Sequence, residues 1–111
     1  MLHTELANLT KHEVFPGFLG RFVHSGSMTF AYWDIEAEAE VPLHSHHNEQ
    51  VVNMLRGEFE LTVAGHTRIL RRGDVVVIPP NTEHGGRAVT DCRILDVFSP
   101  VREPYVFEET L

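Results

Sequence analysis

The feature that most constrains this chain is its apolar rhythm. Hydrophobic residues alternate or run in short blocks, and Gly, Pro or Asn interrupts them about every ten residues. Short alternating runs of this kind predict many short β-strands, and many short strands at regular spacing predict a sandwich or barrel. "GFLGRFVHSGSMTFAYWDIEAEAEVPL" reads as strand, turn, strand. "QVVNMLRGEFELTVAGHTRILRRGDVVVIPPNTEH" reads as a strand, a hairpin around Ala64-Gly65, a strand, a turn at Arg72-Gly73-Asp74, a strand and a Pro-rich loop. "DCRILDVFSP" is a last strand, ended by Ser99-Pro100. Only residues 3–12 have a pattern fit for a short helix, and the tail "YVFEETL" reads as a loose end or an extra edge strand. With 111 residues the chain is expected to form one all-β domain over 1–111.

Bulk properties exclude several classes of function. A net charge of −7 argues against nucleic acid as a partner, since phosphates need a basic face. No run approaches the roughly 20 apolar residues of a membrane helix, and the N-terminal residues lack the pattern of a secretory signal. Cys92 is the only cysteine, so no internal disulfide can form. Its lack of an evident His partner reads as a small core side chain. The expectation is a cytoplasmic protein with no membrane partner.

"PLHSHHNEQVVNMLRG", residues 42–57, holds the densest chemistry. Side chains on a strand alternate faces, so His44 and His46 should point the same way with Cβ atoms about 7 Å apart. Two such imidazoles can bind one ion at roughly 2.1 Å. His47 falls on the other face or in a loop. By the same parity Gln50, Val52 and Met54 face together, with Glu49, Val51, Asn53 and Leu55 opposite. A further imidazole follows "VVVIPPNT" at His84.

These pieces together resemble a small single-domain cupin. The superfamily's first motif, G-x5-HxH-x3,4-E-x6-G, is matched over about residues 38–57 by His44, His46, Gln50 and Gly57, with Gln in the acidic position. Glu49 lies too near His46 and on the wrong face to take that role. The second motif, G-x5-PxG-x2-H-x3-N, is matched over about 73–88 by Gly73, Pro79 and His84. Glu38, Asn81 and Ala88 depart from the motifs, and none is a proposed ligand. Residues 1–16 would be an N-terminal extension. The resemblance implies a jelly-roll barrel, the double-stranded β-helix, holding one divalent ion on His44, His46, Gln50 and His84. Ni, Zn, Mn and Fe all suit imidazole donors. A neutral Gln leaves the ion its full charge, giving a stronger Lewis acid on a weaker site, and departs from the two-His-one-carboxylate triad of iron oxygenases.

On the last strand Cys92, Ile94, Asp96 and Phe98 share a face, so Asp96 should point into the barrel. A carboxylate there must be paired, near a cation, or functional. Arg102 follows the Pro100 break. The pair reads either as an acid/base with a carboxylate-binding guanidinium or as a salt bridge closing the strand end. "LDVFSPVRE" after an HxHxxxQ site is similar to the KdgF-type pectin-degradation cupins, which open 4,5-unsaturated uronates to linear keto forms. That resemblance implies that Asp96 and Arg102 are catalytic, that Arg102, Phe98 and Val52 meet substrate, and that the protein is a homodimer. The alternatives are an Fe(II)-dependent dioxygenase and a non-catalytic small-molecule-binding cupin. Tyr32, Trp33 and Arg87 are further candidates for the cavity mouth. His3, His12, His24 and His66 read as surface residues, and "DIEAEAE" as a solvated edge strand.

Overall fold

The computed structural model describes residues 1–107. Ten strands form in the order β1 (His12–Phe15), β2 (Phe18–His24), β3 (Thr29–Ile35), β4 (Glu40–His44), β5 (Glu49–Arg56), β6 (Phe59–Val63), β7 (His66–Leu70), β8 (Val75–Ile78), β9 (His84–Ala88) and β10 (Cys92–Ser99). They make a six-stranded sheet, β1-β2-β3-β10-β5-β8, and a four-stranded sheet, β4-β9-β6-β7. All pairings are antiparallel. This is the expected all-β jelly roll.

Alternation decides which side chains meet between the sheets. On β3, Thr29, Ala31, Trp33 and Ile35 are buried while their neighbours are half-exposed. On β5 the buried set is Gln50, Val52 and Met54, as parity predicts. Aromatic rings join the two layers: Phe18 of the larger sheet meets Trp33 at 5.9 Å and Phe59 of the smaller sheet at 6.4 Å, both edge-to-face. Each such ring contributes roughly 1.5–3 kcal/mol by leaving water. Cys92 is buried as expected, its thiol directed at the carbonyls of Glu58 and Thr90.

Four expectations are corrected. The segment 50–63, read as one strand, is two: Gly57 at φ 85° breaks it, and β5 and β6 belong to different sheets. Apolar alternation runs through the break, so only Gly57 marks it. The acidic segment is mainly a corner. Glu38 adopts φ 74° and donates its N–H to Ala88 O, and strand pairing resumes only at Glu40. The N-terminal helix reduces to one 3₁₀ turn, Leu6–Asn8, and His12 already pairs with β2. Two histidines read as surface are half-buried: His12 stacks on Phe107 at 3.9 Å, and His24 bridges Thr29 and the Tyr105 carbonyl. His3 and His66 are exposed. The tail makes a 3₁₀ turn over Glu103–Tyr105 that buries Tyr105, and residues 108–111 lie outside the described residues.

Gly57 tests this account of the sheet exchange. A Cβ there would sit 2.1 Å from Asp91 O, at a φ that L side chains rarely adopt. Gly57→Ala is expected to cost more than about 2 kcal/mol in urea unfolding. Ala at the open Gly26 position, where a Cβ meets nothing within 4 Å, changes stability by less than about 0.5 kcal/mol.

Candidate metal centre and its cavity

A β-bulge aims the first histidine. The β4/β9 register runs Glu40↔Arg87, Val41↔Gly86, then His44↔His84, with the shift between Val41 and His44. Pro42 and Leu43 both point outward, so Val41 and His44, which strict alternation sends to opposite faces, both line the cavity. Bulges next to sites commonly re-aim a side chain in this way. Strict alternation therefore does not by itself bring His44 and His46 to one side; the bulge is needed as well. β4 ends at His44, and His46 follows in the bend before β5. His84 opens β9 directly across from His44, and Gln50 sits opposite Phe98 of β10.

The three imidazoles converge. Ring centroids lie 4.4 Å apart for His44–His84, 4.8 Å for His46–His84 and 5.6 Å for His44–His46. One ring nitrogen from each falls within 4.8 Å of the others, so the three are positioned to bind a metal ion. Each ring is oriented through its other nitrogen. His44 Nδ1 donates to Pro42 O at 2.9 Å, His46 Nδ1 to Asn48 O at 3.0 Å, and His84 Nδ1 to Thr82 O at 2.8 Å. A carbonyl only accepts, so Nδ1 carries the proton and each Nε2 offers a lone pair. His84 Nε2 is buried with no partner, an unmet acceptor that a cation would satisfy.

Gln50 completes the set. Its Oε1 lies 3.1 Å from His46 Nε2, which places two lone pairs face to face. Its amide N–H side is turned toward Asp96, and whenever that carboxyl is ionised the flipped amide would set a carbonyl oxygen against it instead. Two acceptors at this distance repel unless a proton or cation stands between them. Burial, helped by the Arg102 and His84 charges, pushes His46 down to about 4, so at neutral pH no proton is available. His84 is lowered too, chiefly by burial. This donor set fits a divalent ion.

Asp96 faces the same cavity from β10, in register with Val52 and Ala31. Its Oδ2 accepts the Trp33 indole N–H at 3.1 Å, while Oδ1 is sequestered without a partner. Asp96 as a whole is half-buried, as suits a place on the cavity wall. Burial raises its carboxyl to about 7, with Gln50 and Trp33 pulling the other way. Among the described residues no ion pair joins Asp96 to Arg102. Arg102 instead lies over the Tyr105 ring, 5.3 Å from its centroid, with Nε buried and unpartnered. Burial pushes the Tyr105 phenol up to about 12, so it stays a neutral donor.

Of the other predicted residues, Phe98, Val52 and Trp33 line the cavity. Tyr32 lies on the outer face of β3 beside Arg21 and Arg93, and Arg87 pairs with Glu38 at the surface. Neither borders the cavity. His47 and Glu49 are exposed. Tyr105 and Asn48 were missed. Tyr105 lies in a tail that has no strand period, and Asn48 in a loop where the histidines carry the motif. Only Asn48's place between the motif's ligands could have marked it.

The cupin-domain profile (Cupin_2) matches residues 31–98. Among solved structures, an RmlC-like cupin from Shewanella frigidimarina is 25% identical with a TM-score of 0.90, covering 96% of each chain. KdgF from a Halomonas species is 26% identical with a TM-score of 0.89, covering 96% of this chain and 99% of that one. A predicted oxalate decarboxylase from Thermotoga maritima shares the fold at 18% identity and a TM-score of 0.79, covering 89% of this chain and 99% of that one. With its two sheets, its converging imidazoles and a profile match across most of its length, this chain belongs to the cupin family.

Proposed function

We propose that this protein is a metal-dependent isomerase that opens a small 4,5-unsaturated uronate to its linear keto form, as in pectin or alginate sugar-acid catabolism. The observation that carries the reading is the unpartnered Asp96 Oδ1, in a cavity shared with three converging imidazoles; Arg102, over the Tyr105 ring of that cavity's wall, has no ion pair among the described residues. Similarity to KdgF along nearly the whole chain supports it.

The substrate is a cyclic enol ether with a carboxylate at C5 and a hemiacetal hydroxyl at C1. Opening breaks the C1–O5 bond, turns C1–OH into an aldehyde, and leaves an enol at C5 that becomes a ketone when C4 is protonated. One proton thus moves from oxygen to carbon, with no oxidant. Asp96 is the group assigned to carry it. Trp33 holds Oδ2, so Oδ1 takes the hydroxyl proton and returns it to C4. A carboxyl raised to about 7 passes between its two forms near neutral pH. Arg102 pairs with the substrate carboxylate, and Phe98 and Val52 pack on the ring and exclude water. His44, His46, Gln50 and His84 are the proposed ligands of a divalent ion, whose contribution when bound is Lewis-acid polarisation of the substrate oxygens. A cytoplasmic location and a homodimer belong to the same reading. Val23, Phe30, Val97, Val51 and Val77 align in register across the outer face of the larger sheet, an apolar row suited to a second copy.

The direct test is turnover of 4,5-unsaturated galacturonate by the metal-loaded protein, followed as loss of absorbance from the conjugated double bond. Asp96→Asn and Arg102→Ala each reduce kcat/KM by about 100-fold or more while metal content is kept. Wild-type rates in both variants would sink the assignment. Oxygen uptake with Fe(II) would point instead to a dioxygenase, and saturable binding without product to a non-catalytic binder. In calorimetric titration with Ni(II), His84→Ala weakens binding by about 100-fold or more, and Gln50→Glu tightens it. The metal-free protein should show the stability cost of the Asp96 site. Its folded carboxyl holds a proton that the unfolded chain releases near pH 4, so the Asp96 contribution falls from pH 4 to about 7, against the rising contributions of His46 and His84, whose values burial lowers. Asp96→Asn removes that fall, gaining about 1–3 kcal/mol in urea unfolding at pH 8 and little at pH 4. Sedimentation should give a dimer that Val97→Asp dissociates.

A further inference from the structure

The segment after β10 carries Arg102, yet the Arg102 guanidinium has no ion pair among the described residues to hold it, and its Nε is buried without a partner. Its guanidinium rests on the Tyr105 ring, and the backbone of its segment is held by side chains from two distant parts of the chain. From one side Asn48, fully buried, donates from Nδ2 to Pro100 O at 2.6 Å and Val101 O at 3.2 Å. From the other, Thr29 Oγ1 accepts the Arg102 backbone N–H at 2.9 Å. His24 then joins Thr29 Oγ1, at 2.8 Å from Nδ1, to Tyr105 O, at 3.1 Å from Nε2. Because the Tyr105 carbonyl only accepts, Nε2 carries a proton, and Nδ1 bonds the Thr29 hydroxyl. That hydroxyl joins His24 to the Arg102 amide, and Pro100, Val101, Arg102 and Tyr105 are all held by hydrogen bonds.

Asn48 also touches His46, because its backbone carbonyl accepts the His46 Nδ1–H. One residue therefore touches both a candidate ligand and the strap bearing the guanidinium. Asn48 Oδ1 is buried with no partner. Such an atom costs on the order of 1–3 kcal/mol, so Asn48 is a poor choice if stability alone were served. We infer that Asn48, with the Thr29–His24 pair, positions Arg102 relative to the three-histidine centre. As regards the bound ligand, this rests on the carboxylate-binding role proposed for Arg102.

The test combines two readouts on Asn48→Ala, Thr29→Val and the hydroxyl-retaining Thr29→Ser. Native-state hydrogen exchange reports the clamp itself. Amides of residues 101–106 should exchange about 10-fold or more faster in Asn48→Ala and Thr29→Val, with β3, β5 and β10 still protected and Thr29→Ser like wild type. Ni(II) affinity stays within about 3-fold, since the carbonyl that orients His46 belongs to the backbone in every variant. With 4,5-unsaturated galacturonate, KM rises by about 10-fold with kcat little changed, and Asn48→Ala adds nothing once Arg102→Ala is present. Unchanged exchange at 101–106 overturns the inference, as does a KM effect of equal size with and without Arg102. If the wild-type protein does not turn this substrate over, the ring-opening proposal fails and exchange alone decides the clamp. If Asn48→Ala does not fold, the two Thr29 variants decide it in the same way.

Discussion

Three hydrogen bonds of one kind underlie the whole site: an imidazole Nδ1–H donated to a backbone carbonyl two residues away. Pro42, Asn48 and Thr82 supply the carbonyls for His44, His46 and His84. Each bond fixes a tautomer, and together they send three Nε2 lone pairs to one place. With acceptors alone gathered there, and Gln50 Oε1 beside them, the uncharged cluster repels itself. It makes sense as a cradle for a cation. The aromatic layer of Phe18, Trp33 and Phe59 ties the two sheets together around it.

The same logic extends outward from the imidazoles. Gln50, in holding its oxygen toward His46, turns its amide hydrogens toward Asp96. Asp96 accepts the Trp33 N–H on Oδ2, and its Oδ1 has no hydrogen bond among the described residues. A buried carboxylate with one free oxygen beside a cation site is pulled two ways, raised by burial and lowered by any bound charge. That is the balance a proton carrier needs, and an ordinary core position would avoid it.

How much of this was legible in the residues depends on how local the cause is. Period-two patterning placed Gln50, Val52 and Met54 on one face of β5, and Cys92, Ile94 and Phe98 on one face of β10. It failed at Gly57, where apolar alternation continues across a change of sheet, and at Pro42–Leu43, where a bulge adds a residue that no periodicity encodes. The motif spacings located His44, His46 and His84 because spacing is a local property. Asn48 reaches a segment 52 residues away, and His24 one 81 residues away. Contacts of that range are decided by topology and leave no mark in a single sequence.

The most direct measurement of the central claim is anomalous diffraction from crystals of the metal-loaded protein, collected at the absorption edge of the bound ion. The account predicts one strong peak, coordinated by Nε2 of His44, His46 and His84 and by Gln50 Oε1, with Asp96 Oδ1 facing it and unligated. A peak bound through any Nδ1, or ligation by Glu49 or His47 in place of Gln50, would contradict it.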